Sequence, residues 1–137
     1  MAERTAVLGY KICTADQWSS CTGTGVLPPS PVDARDGFVH LSSAAQLAET
    51  ARRHFADHEE LWLLALDIAA LGDAVRWEPS RGGALFPHLY ESVQATAIQH
   101  AAALVRDDAG SLQWPPWAGQ PAGGTDSART PDAPAKP

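Results

Sequence analysis

The stretch Asp36-Gly37-Phe38-Val39-His40-Leu41-Ser42-Ser43 reads as a turn, a short strand and a helix cap in immediate succession. Asp-Gly favours a turn, because glycine tolerates positive φ and aspartate can bond its own backbone two residues on. In the strand that follows, side chains alternate between faces, so Val39 and Leu41 point one way and Phe38, His40 and Ser42 the other. One face is apolar and the other carries chemistry. Ser43 stands three residues before Gln46, the spacing of a capping box, and Ala44, Leu47, Ala48, Ala51 and Phe55 then recur at helical spacing. The pattern predicts a helix lying over a sheet. It also sets His40, Ser42 and Ser43 beside the free N–H groups of a helix start, an arrangement suited to a phosphate or acyl oxygen. The competing reading is a half-buried structural histidine next to an ordinary cap.

Upstream, Val7 to Cys13 predicts a first strand with Leu8, Tyr10 and Ile12 on one face and Gly9, Lys11 and Cys13 on the other. Thr14 and Gln17 repeat the capping-box spacing and predict a short helix through Trp18 to about Cys21. Thr22-Gly23-Thr24-Gly25 and Pro28-Pro29-Ser30-Pro31 read as breakers, so the segment up to Asp36 is expected to be a surface loop. Downstream, Leu61 to Ile68 is apolar on both parities, as in a central strand buried on both faces. Val75-Arg76-Trp77-Glu78 alternates, and Pro79 ends it. In Ser80-Arg81-Gly82-Gly83 the glycines let backbone approach a ligand while Arg81 supplies charge. Phe86-Pro87-His88-Leu89-Tyr90 repeats the grammar of the first stretch, with a ring, an imidazole, a leucine and a hydroxyl. Thr96 to Val105 fits either a helix or a last strand on periodicity alone. Val39, Leu41, Leu47, Phe55, Leu63, Leu64 and Leu66 are expected to be buried together.

With 137 residues, 45% of them hydrophobic, the chain can bury one core. Its net charge of −6 argues against binding nucleic acid through a basic face. Apolar runs fall far short of the roughly 20 residues that span a bilayer, so the reading is a soluble, cytoplasmic protein without membrane contact. Cys13 and Cys21, eight positions apart, match no redox or zinc spacing and read as free buried thiols. His54 and His58 have the i,i+4 spacing of a metal pair, but Arg52 and Arg53 crowd them and no metal is assigned. The expected domain covers residues 1–106. Residues 107–137, rich in proline and glycine, are expected to be a disordered tail whose removal from residue 110 leaves the melting temperature nearly unchanged. Trp114-Pro115-Pro116-Trp117 is the stiff exception within it, able to dock on the body or on a partner.

Taken in order, Tyr10-Lys11-Ile12, Trp18, Asp36 to Ser42, Trp77-Glu78 and Phe86 to Tyr90 resemble the bacterial and plant family called domain of unknown function 952. The resemblance implies an α+β domain similar to the ADP-ribosyltransferase fold, with two small, mainly antiparallel sheets and flanking helices around a cleft that holds NAD in active members. It also favours a strand over Thr96 to Val105. It sets Lys11 at the first-strand position of the transferase pattern and Ser42 or His40 at the second. Phe86 and His88 stand where the late acid is sought, with Glu78 and Glu91 as nearby carboxylates. The expected site comprises His40, His88 and Glu78 as catalytic residues and Lys11, Ser42, Ser43, Arg81 and Tyr90 as ligand contacts. Its ligand is nucleotide-like or NAD-like, and its chemistry is that of a transferase or hydrolase. The rival expectation is a non-catalytic binding or interaction domain that kept the fold and lost the acid.

Overall fold

The computed structural model describes residues 7–118. The first strand, β1 (Leu8–Thr14), leads into helix α1 (Ala15–Thr24), whose capping box uses Thr14 and Gln17 as predicted. The next segment departs from the expected loop. It contains a two-residue strand, β2 (Val26–Leu27), and helix α2 (Pro31–Asp36). Ser30 caps α2, Pro31 fills the first turn where a missing N–H costs nothing, and Asp33 closes the capping box. The Asp36-Gly37 turn is thus the end of a helix, and Gly37 takes the left-handed φ of +85° that such an ending requires.

Strand β3 (Val39–His40) follows, and a 3₁₀ turn, Ala44–Gln46, leads into helix α3 (Leu47–His54). Gln46 Oε1 accepts the Ser43 N–H at 3.0 Å, so the predicted cap forms one turn ahead of the regular helix. The chain continues through β4 (Leu61–Asp67), α4 (Ile68–Leu71), β5 (Val75–Pro79) and β6 (Leu85–Leu89). It ends with β7 (Val93–Gln94), β8 (Ile98–Arg106) and β9 (Leu112–Gln113).

All strand pairs are antiparallel, and they make three ladders: β1-β4-β8-β9, β3-β6-β5 and β2-β7. The fold is mixed α+β, with a third ladder beyond the two expected sheets. The stretch around His40 joins the two larger sheets. Its residues 39 and 40 pair with β6, Leu41 N–H donates to Pro87, and Ser42 exchanges both backbone bonds with Tyr10 of β1 at 2.8 Å.

As predicted, β4 is central, and its two faces feed two cores. Leu61, Leu63 and Ala65 pack with Tyr10, Ile12, Leu47 and Ala51 on the α3 side. Leu64 and Leu66 pack with Val39, Leu41, Leu89 and Val93 between the sheets. The residues expected in one core are therefore divided between two, because a strand alternates faces. Cys13 and Cys21 are free and fully buried in the second core, and burial pushes the Cys13 thiol up to about 12.

Residues 107–118, expected in the tail, fold back on the body. Strand β9 pairs with β8, and Trp117 stacks between Tyr10 and His100, with ring centres 6.4 and 4.9 Å away. The Tyr10 hydroxyl donates to the Trp117 carbonyl, and Arg106 ties the turn by donating to carbonyls of Gly110, Phe55 and His58. Aromatic burial compensates for the lack of aliphatic residues that underlies the tail prediction. Residues 119–137 lie outside the described part. Among the described residues no helix is long and apolar enough to cross a membrane.

Candidate functional site

The outer face of β3-β6-β5 gathers the side chains whose parity sets them away from the core. His40 and His88 are direct cross-strand partners, and their rings meet edge to face with centres 5.4 Å apart. The register of β3 and β6, together with the outward parity of both residues, sets the two imidazoles side by side.

Each histidine is held by a carboxylate. Glu78 Oε1 lies 2.8 Å from His88 Nδ1 and also accepts the Tyr90 hydroxyl at 2.7 Å. Hydrogen bonds from Tyr90 and then His88 hold the Glu78 carboxyl below its ordinary range, and the same bond to Glu78 raises the Tyr90 phenol. Arg76, opposite His88 on β5, lays its guanidinium over the Tyr90 ring at 4.7 Å.

His40 is held by Asp33, whose Oδ1 lies 2.7 Å from His40 Nδ1 and accepts the His40 backbone N–H at 3.1 Å. The other oxygen of Asp33 accepts from Lys11 Nζ at 2.7 Å and from the Ser30 N–H at 3.2 Å. Asp33 is only 2% exposed. Burial opposes its charge, but the bonds from His40 and the charge and bond of Lys11 outweigh that opposition and hold the carboxyl well below the usual range. On its far side His40 Nε2 lies 3.1 Å from Asp36 Oδ2, and Asp36 also pairs with Arg35.

Phe38 lies face to face on His88, with ring centres 4.1 Å apart, and also touches His40 and Tyr90. His88 is 4% exposed, and its Nε2 is buried without a hydrogen-bond partner. Beside Phe38 an open hollow of about 280 Å³ is lined by Leu27, Pro28, Asp33, Leu89, Tyr90 and Glu91, among others. The two imidazoles are not among its lining residues; Phe38 belongs both to the hollow and to the histidine cluster.

Of the expected site residues, the structure brings together His40, His88, Glu78 and Tyr90. Lys11 reaches the cluster only through Asp33, and at 5% exposure it is sealed in the core side of β1 rather than presented to a ligand. Ser42 is buried, and its hydroxyl meets Thr50 at 2.9 Å, so it serves the junction of the sheets. Ser43 caps the turn ahead of α3. Arg81 belongs to the turn Arg81–Gly83 at the far end of the β5-β6 hairpin. Asp33, Asp36, Phe38 and Arg76 complete the cluster. Asp33 could have been found from Ser30-Pro31-Val32-Asp33, a cap, a first-turn proline and a capping-box acid in the correct order.

No curated protein matches this chain. Among solved structures it is similar to the crystal structure of protein CC0527 from Caulobacter crescentus, at 40% identity over 77% of this chain and 93% of that one, with a TM-score of 0.73. The solution structure of the same Caulobacter protein gives 40% identity over 77% and 91%, with a TM-score of 0.70. The model of the family described as "Protein of unknown function (DUF952)" matches residues 12–101, and the chain belongs to that family.

Proposed function

We propose that the outer face of β3-β6-β5 is a small-molecule site for a nucleotide- or NAD-like ligand, where two carboxylate-held imidazoles move protons in a transferase or hydrolase reaction. One observation carries this reading: Glu78 takes Nδ1 of His88 and leaves Nε2 buried and unpaired beside His40. An unsatisfied buried nitrogen costs about 1–3 kcal/mol, and a bound group that supplies its partner removes the cost. A carboxylate on Nδ1 fixes the tautomer that leaves Nε2 free to accept a proton. His88, with Nε2 free, acts as the base, and the neighbouring His40, with Asp33 at Nδ1 and Asp36 at Nε2, acts as the acid. The NAD-like choice rests on the resemblance to the ADP-ribosyltransferase fold, with Glu78 as the late-strand carboxylate.

Phe38 favours a second reading. Its ring covers His88, and a permanent plug at this position belongs to a binding or interaction domain without catalysis. Ligand-observed NMR with NAD, ADP-ribose and common nucleotides separates the two. Saturable contact at millimolar concentration, lost in His88→Asn, is the expected result. Absence of contact with every compound would leave the plugged, non-catalytic domain.

A further inference from the structure

The register of the three-stranded sheet aligns three nitrogen-bearing side chains in one row. His40 faces His88 across β3 and β6, and Arg76 faces His88 across β5 and β6. Adjacent strands lie about 4.8 Å apart, so neighbouring members of the row can share one small ligand group. Lys11 is not available to that row, since Asp33 holds it in the interior. Arg76 is exposed, rests on the face of Tyr90 and makes no ion pair among the described residues.

We infer that the ligand carries a phosphate group, bound between the Arg76 guanidinium and Nε2 of His88, with His40 at the end of the row. The inference rests on the small-molecule site proposed above and assigns to it a recognition residue, Arg76, and a substrate class. The carboxylates bonded to the row are already matched: Asp33 by Lys11, Asp36 by Arg35, and Glu78 by the Tyr90 hydroxyl and His88. Arg76 acts on Glu78 through its charge without an ion pair among the described residues, so its guanidinium N–H groups are left for a ligand. A guanidinium presents a planar fork that fits two oxygens of one anion. Nε2 of His88, buried without a partner, makes a hydrogen bond with a third. Two guanidinium N–H groups and one imidazole nitrogen match a tetrahedral phosphate, which has three terminal oxygens, better than a planar carboxylate, which has two.

The test titrates the full-length protein with adenosine, adenosine monophosphate and inorganic phosphate while following the ring resonances of His40 and His88. The inference expects the monophosphate to shift both rings saturably, adenosine to bind at least tenfold more weakly, and Arg76→Gln to lose at least tenfold in affinity for the monophosphate. Arg76→Lys should recover part of that loss, and both variants should melt as the parent does, because Arg76 is exposed. Saturable phosphate binding alone would support the anion row and assign no preference for the base. Equal binding of adenosine and its monophosphate, or an unchanged affinity in Arg76→Gln, would overturn the phosphate assignment while leaving the small-molecule site standing. No shift of either ring with any of the three compounds would overturn the phosphate assignment. Failure with NAD and ADP-ribose as well would remove the site itself.

Discussion

Strands β4 and β6 are each an interior strand of an antiparallel sheet, yet they bury different chemistry. Both faces of β4 carry aliphatic side chains that need only volume and shape to be satisfied. In β6, Leu89 packs into the core, whereas His88 on the other face is enclosed by Phe38 and held by Glu78. Apolar burial tolerates inexact partners. A buried imidazole does not, and its unpaired Nε2 shows where this chain gives up stability that a hydrocarbon would have kept.

The comparison breaks most sharply at Asp33, the acid that joins the core to the polar face. Asp33→Asn leaves the buried ammonium of Lys11 without a counter-charge, and the expected loss is about 3–5 kcal/mol in urea denaturation. The pH dependence has a definite sign. Because the folded-state pKa of Asp33 is depressed, its contribution is complete above the ordinary unfolded value near 4 and is lost as pH falls toward the folded value. The gap between parent and Asp33→Asn should therefore narrow as pH falls below about 4. A gap that stays undiminished at the acid end of the titration would contradict the pairing.

In the aliphatic region, Leu64→Ala should cost about 2–5 kcal/mol, since the side chain is fully buried in the core between the sheets. An unchanged denaturation midpoint would show that β4 does not hold that core together. A smaller effect is expected at the C-terminal strap. Trp117→Ala should cost about 1–3 kcal/mol by calorimetry, because it removes the ring stacked against Tyr10 and His100. This reverses the sequence expectation that removing residues beyond 110 is neutral; a parent-like melt would restore it.

How far each region could be read in advance follows from the same contrast. The strand β4, the caps at Thr14 and Ser43 and the shared face of His40 and His88 come from local periodicity and spacing, which the sequence displays directly. Helix α2 is hidden by Pro28-Pro29-Ser30-Pro31, because proline both breaks helices and starts them, and only the following Asp33 distinguishes the two. With α2 unread, Asp33 has no position, and Lys11 looks free to bind phosphate. The pairing of Lys11 with Asp33 spans 22 positions of sequence, beyond any local pattern. The register that sets Arg76 beside His88 likewise depends on how β5 and β6 pair.

A small expected effect on stability accompanies the most direct test of the site. His40→Asn and His88→Asn should each keep a cooperative melt within about 1 kcal/mol of the parent, because residues kept for binding are often not optimised for stability. Both should lose the saturable contact with NAD-like or nucleotide ligands. Measuring melting and ligand contact on the same two proteins gives the decision: retained folding with lost binding is the predicted result, and two strongly destabilised proteins would make the histidines a structural pair and contradict the account.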